Sequence, residues 1–475
     1  MSQQLLNWIN GEAKPAASQQ WMENINPANG KVLSEIPRSQ ADDVDLAVAA
    51  AQACYEIGGG GQGGAGGLTE PQRTELLVAV AGAVEARLEE FALAESLDTG
   101  KPLGAATKMD IPRAVDNLRF FAHLLAGQKT DAVAMADGIN YVLRRPLGVV
   151  ALITPWNFPL HLLTWKLGPA IAMGNSVVAK PSEMTPSTAI LLAEVFTQVG
   201  APPGLFNVIH GLGGEAGDAL VRHSQVKAVS FTGGTQTGKT IAATAAPALK
   251  KLSLELGGKN PSLVFEDCDF EATVAGTARA AFFNSGQVCL CGSRILVESQ
   301  LHDKFTSALV EQARAMKTKL GPLISQSHRS KVKQYVDQAL QDGAKLECGG
   351  EIFGPDEGAF FAPTVLTGLS HDCASAQEEI FGPVVSIHPF DDEQHALSLA
   401  NDTAYGLSAT IWTQDLGRAH RLAESIESGM VWINTWSKRD LRVPFGGMKQ
   451  SGVGREGGRY SMEFFSQDRN ICLQL

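Results

Sequence analysis

The apolar positions of the chain change rhythm near Gly148. Residues 1–40 read as short strands and turns, with Asn26-Pro27-Ala28-Asn29-Gly30 as a turn. A helical period begins at Ser39 or Asp42 and runs to about Ala53, and further helices are expected from Pro71 to Ser96 and from Gly104 to Leu125. Between them lies the tract Gly58–Gly67, almost all glycine. Glycine loses so much freedom on ordering that a flexible surface loop is the expectation there. From Gly148 onward, short β-rich runs alternate with helices: Val149–Ile153, Ser176–Lys180, Phe206–Ile209 and Ala228–Phe231, separated by helical stretches near Leu162–Ala172, Ser187–Val199 and Gly214–Val221. Such alternation predicts a parallel sheet with crossover helices. A second series starts near Pro261 and continues to about Asn434, which predicts a second α/β domain. Lys129–Arg145 alternates polar and apolar residues around Asp137-Gly138, a β-hairpin signal suited to pairing with another sheet edge.

Composition narrows the picture. At 475 residues, with 44% hydrophobic and 19% charged positions, this is an ordinary globular chain. A formal net charge of −11 argues against nucleic acid as a partner. Seven cysteines without a CxxC pair and ten scattered histidines form neither a disulfide framework nor a zinc site, so no metal is expected and the usage fits a reducing cytoplasm. The first ten residues lack the basic start and apolar run of a secretory leader. The most apolar segment, Val149–Trp165, is broken by Pro155, Asn157, Pro159 and His161, and no membrane span is expected.

Chemistry concentrates in a few turns. Cys289 follows Gly286-Gln287 at the end of a small-residue helical run. A thiol there is either a buried apolar residue or, beside free N–H donors, a nucleophile. Glu255, in Leu254-Glu255-Leu256-Gly257-Gly258, is a carboxylate among apolar neighbours, and burial would raise its proton affinity toward that of a general base. Asn157, between two prolines after a buried strand, could donate its amide to developing negative charge, or merely end the strand. Lys180-Pro181-Ser182-Glu183 sits where cofactors lie in a doubly wound sheet. Residues 233–240, Gly-Gly-Thr-Gln-Thr-Gly-Lys-Thr, fit the phosphate-loop pattern, and Leu263–Asp267 offers an apolar run ending in acids, so an NTPase is a rival reading.

Taken in order, Pro155-Trp156-Asn157, Lys180–Glu183, Phe231-Thr232-Gly233, Glu255–Gly258, Gly286–Cys289, Glu379-Ile380-Phe381-Gly382-Pro383 and Pro444–Gly447 resemble the aldehyde dehydrogenase superfamily over nearly the whole chain. The phosphate-loop match then reads as accidental, with Lys239 facing solvent. The resemblance implies an α/β fold with a Rossmann-like NAD-binding domain (1–128 and 147–254), an α/β catalytic domain (255–452) and a small oligomerisation element (129–146 and 453–475). It implies Cys289 as nucleophile, Glu255 as base and Asn157 as oxyanion donor. It further implies NAD held by Trp156, Lys180, Glu183, Gly233, Gly234, Glu379 and Phe381, and a homodimer or homotetramer. An acid at Glu183 favours NAD over a cofactor with a 2′-phosphate. Gly234 stands where many members carry Ser. Trp436–Gly447 with Asp110–Arg113 resembles the 2-aminomuconic and 2-hydroxymuconic 6-semialdehyde dehydrogenases, which implies a carboxylate-bearing aldehyde held by Arg113 and Arg442. Internal ion pairs with Asp110 or Asp440 are the alternative for these arginines, and Arg119 and Arg439 are weaker substitutes. A neutral or other acidic aldehyde is the alternative substrate.

Overall fold

The computed structural model describes residues 3–59 and 63–475; Met1, Ser2 and, within the glycine tract, Gly60, Gly61 and Gln62 lie outside the described residues. The first large sheet has eight strands. Five central parallel strands run in the order Lys251–Glu255, Val226–Thr232, Val149–Ile153, Ser176–Lys180, Phe206–Val208. From Val149–Ile153 the chain builds outward to one side through the next two strands, then returns to the other side. That reversal opens a crevice between the carboxyl ends of Val149–Ile153 and Val226–Thr232, the place where doubly wound sheets bind ligands. Val149–Ile153 and Ser176–Lys180 are buried throughout, because helices cover both faces of the sheet.

The second large sheet has seven strands, Lys345–Cys348, Thr364–Thr367, Val384–Phe390, Arg294–Glu298, Pro261–Val264, Ser408–Trp412 and Met430–Ile433, parallel except for the first. The hairpin Ala132–Met135 and Gly138–Pro146 joins the C-terminal strand Ser466–Gln474 in a separate three-stranded sheet. Among the described residues, no helix is long and apolar enough to cross a membrane.

Three expectations change. The helix expected over 71–96 is two, Glu70–Ala86 and Leu88–Thr99, parted at Arg87, whose backbone leaves the helical region at φ −105°, ψ 22°. The glycine tract is anchored at its far end: Ala65 is fully buried, and its N–H donates to Gly174 O at 2.9 Å. The expected boundary at 453 falls inside the first sheet, because Gly452–Val453 pairs with Leu254 and Glu255. The following helix, Gly458–Phe464, buries Met462 in the same core as Leu152 and Trp165, so only Ser466–Gln474 joins the hairpin.

Candidate active site

A cavity of about 670 Å³ opens where the strand ends of the two large sheets meet. It brings Cys289, Glu255 and Asn157 together, and with them Trp156, Gly233, Gly234, Glu379 and Phe381.

Cys289 owes its position to a strained loop. Asn284, Ser285 and Gly286 all take positive φ (50°, 56° and 71°), which costs energy at the two non-glycine positions. Gly286 is required, since a Cβ there would lie 2.0 Å from Gly382 O. Gln287 ties the loop down, accepting from Ile324 N at 2.9 Å and donating to Pro322 O at 3.3 Å. Asn260, on the turn just after Glu255, donates to both Cys289 O (2.7 Å) and Cys291 O (2.9 Å). The thiol is partly exposed into the cavity, and burial followed by the nearby Glu379 and Glu255 carboxyls pushes its proton affinity up. The second thiol, Cys291, is buried and pushed up to about 12 by the same desolvation.

Around Cys289 two donors remain unused. One N–H of the Asn157 amide goes to Gln287 O at 2.9 Å, which leaves its second hydrogen. The Cys289 backbone N–H donates to no described residue. Asn157 is itself fixed from beneath: Lys101 Nζ donates to Asn157 O at 3.1 Å while pairing with Asp110 at 2.5 Å. Glu255 is buried with both carboxyl oxygens unpartnered. Burial first, and then the like charge of Glu456, hold its proton affinity well above the ordinary carboxylate range. Glu456 is paired at 2.5 Å with the buried Lys166, which also donates to Ser230 at 3.0 Å.

The crevice residues form a cradle. A Cβ on Gly257 would fall 2.0 Å from a Glu379 oxygen, so glycine there leaves room for that carboxylate. Glu379 accepts from Gly258 N at 3.1 Å, and burial raises it to about 7. Trp156, His328 and Phe381 pack edge-on, with the Trp156 and Phe381 rings 5.3 Å apart. Gly234 caps the helix Thr235–Ala245, and a Cβ there would meet nothing within 4 Å. A serine would fit, so its absence removes a hydroxyl without any steric cause. Lys180 and Glu183 lie outside the cavity lining, at the end of the next strand, 3.5 Å from each other.

One predicted residue is misplaced. Arg442 is exposed, does not line the cavity, and folds back on Asp440 through Nε at 2.9 Å and Nη2 at 2.7 Å. The ion-pair alternative thus describes Arg442, a pairing made easy by a separation of two residues in an open loop. Arg119 pairs with Glu85 and also points elsewhere. Arg439 takes the place in the cavity, stacked 4.6 Å over Trp165 and 4.2 Å over Phe445. Arg113 lines the same end. The phosphate-loop rival also fails on geometry. Lys239 donates to Gln450 at 2.8 Å, and the acids after Leu263 belong to the other sheet, where Asp267 accepts from Thr413 and Arg418.

The chain belongs to the aldehyde dehydrogenase family, whose model matches residues 14–471, and it is an oxidoreductase acting on aldehydes. It is 46% identical over 490 residues to 2-aminomuconic 6-semialdehyde dehydrogenase of a Pseudomonas species, covering 99% of this chain and 98% of that protein. It is 45% identical to the 2-hydroxymuconic semialdehyde dehydrogenase of Pseudomonas sp. strain CF600, covering 99% of this chain and 100% of that protein. Among solved structures, betaine aldehyde dehydrogenase from Staphylococcus aureus in complex with NAD+ superposes with a TM-score of 0.95 at 38% identity, covering 99% of this chain and 95% of that one.

Proposed function

We propose that the protein oxidises an aldehyde carrying a carboxylate, of the 2-hydroxymuconic or 2-aminomuconic 6-semialdehyde kind, to the corresponding acid, with NAD as oxidant. The observation that carries this reading is the pair of arginines at the far end of the cavity. Nε of Arg113, and Nε and Nη2 of Arg439, are buried without a hydrogen-bond partner. Unpaired buried donors on a charged group are costly, and a carboxylate supplies the acceptors they lack. The two relatives named above act on semialdehydes of this kind, according to their names.

Cys289 Sγ attacks the carbonyl carbon, and its proton passes to Glu255 in the ionised form. The oxyanion that develops receives the spare N–H of Asn157 and the Cys289 backbone N–H. Bound NAD supplies the acceptor for the hydride that leaves this carbon. Glu379, Phe381, Trp156, Gly233 and Gly234 would hold it in the crevice, with Lys180 and Glu183 at its adenosine end. The carbonyl re-forms as a thioester on Cys289. Once Glu255 has released the thiol proton to solvent, it takes a proton from water, the hydroxyl adds to the thioester, the C–S bond breaks and the sulfur regains a proton from Glu255.

The separate three-stranded sheet supports assembly as a homodimer or homotetramer, because its outer strand Ala132–Met135 is exposed along its whole length. Among the described residues all seven cysteines are free, which supports a cytoplasmic setting. The test is NADH formation on mixing the protein, NAD and 2-hydroxymuconic 6-semialdehyde. We expect turnover that Cys289→Ala abolishes; no NADH, or NADH unaffected by that substitution, would contradict the reading.

A further inference from the structure

The wall between the two arginines carries a third polar group that neither the chemistry nor the carboxylate uses. His161 lies in the first turn of the helix Pro159–Ala172 and lines the cavity. Two contacts fix it between the arginines. Asn117 Nδ2 donates to His161 O at 3.0 Å and to Thr164 Oγ1 at 3.2 Å, which locks the helix Ile111–Ala126 against it. Arg113 is one turn before Asn117 on the same helical face. On the other side, Trp165 is one turn beyond His161 and carries the Arg439 guanidinium over its ring. Phe158 closes the remaining flank with ring centroids 5.9 Å apart. Neither ring nitrogen hydrogen-bonds to a described residue, and the side chain is only partly covered.

We propose that His161 is a specificity residue: one nitrogen of its imidazole accepts a hydrogen bond from a hydroxyl or amino group on the carbon next to the substrate's carboxylate. This rests on the carboxylate reading above and narrows it to acids that carry such a substituent. Guanidinium groups only donate, so two arginines that clamp a carboxylate offer no acceptor to the hydrogen of a neighbouring O–H or N–H. Asp110 is spent on Lys101, and the exposed Asp116 also lines the cavity. The imidazole is an unspent acceptor on the wall between the arginines. Burial, Arg113, Arg439 and Lys101 all disfavour a proton on it, so its lone pair persists well below the usual range for histidine.

The experiment compares kcat/KM for 2-hydroxymuconic 6-semialdehyde and for the same carbon chain with hydrogen at that carbon, in wild type, His161→Leu and His161→Gln. Both aldehydes carry the carboxylate, so the arginines cancel in the ratio. Wild type should favour the hydroxylated aldehyde about tenfold, the worth of one hydrogen bond otherwise left unmade. His161→Leu should bring the ratio to about one, and His161→Gln, which keeps an acceptor, should restore part of it. A wild-type ratio near one, or a leucine variant that loses both substrates equally, would overturn the role of His161. The wild-type comparison stands even if a variant folds poorly. Failure of the carboxylate reading looks different: neither acid would then be handled better than a neutral aldehyde of equal length.

Discussion

The two ends of the cavity respond to burial in opposite ways. At the reacting end burial raises the proton affinity of three acids: Glu255 is held well above the ordinary range, Glu379 rises to about 7 and the Cys289 thiol is pushed up. In the proposed mechanism Cys289 gives up its proton and Glu255, once ionised, takes it. At the arginine end the same desolvation falls on guanidinium groups whose intrinsic proton affinity is too high for them to discharge. Arg439 is lowered only to about 10 and stays charged, with two of its nitrogens unpartnered. A carboxyl group can escape the cost of burial by keeping its proton, whereas an arginine can escape it only by finding an anion. This difference is what the proposed function assigns to proton transfer at one end and anion recognition at the other.

Substitutions at each end should separate these roles. The largest effect is expected from Glu255→Gln, which removes the base without altering shape. Steady-state turnover should fall by about 10²-fold or more, with both the formation of the first equivalent of NADH and the breakdown of the thioester slowed. The pH profile sharpens this. Glu255 acts when ionised, and its proton affinity is raised, so wild-type activity is present above that raised value and lost as pH falls through it. Glu255→Gln should lack this step; a profile that keeps it would assign the step elsewhere. Next comes Arg439→Met, expected to cost acidic aldehydes roughly 10- to 100-fold in kcat/KM, mostly through KM, and neutral aldehydes little. The smallest effect belongs to Arg442→Met, within about twofold for either class, because that side chain is exposed and already paired with Asp440. Equal losses from the two arginine variants would erase the contrast between the ends.

The two ends also differ in how much of them was legible in the sequence. The reacting end lies on strand ends and tight turns, where the sequence pattern carries geometry: a buried strand before Asn157, a strand before Glu255 and a glycine that only a positive φ explains before Cys289. The arginine end depends on a loop without period. Arg439 and Arg442 are three residues apart with acids and aromatics nearby, and nothing local tells which turns inward. Arg439 turns inward between Phe445 and Trp165, and the second of these lies more than 270 positions earlier in the chain. The supports of Asn157, Cys289 and Glu255 were missed for a related reason, since Lys101, Asn260 and Glu456 act on partners far along the chain. Lys166 did leave a signal, a single charge in the otherwise apolar helix around it. The anchoring of Ala65 had none, because a glycine tract says nothing about the carbonyl of Gly174 that receives it.

The contrast between the ends is tested most directly in the unaltered protein, by the ratio of kcat/KM for an aldehyde ending in a carboxylate to that for a neutral aldehyde of equal chain length. Arg113 and Arg439 in the role proposed for them predict a ratio of at least about ten in favour of the acid. A ratio near one would mean that Arg113 and Arg439 do not meet the substrate, and would contradict the account.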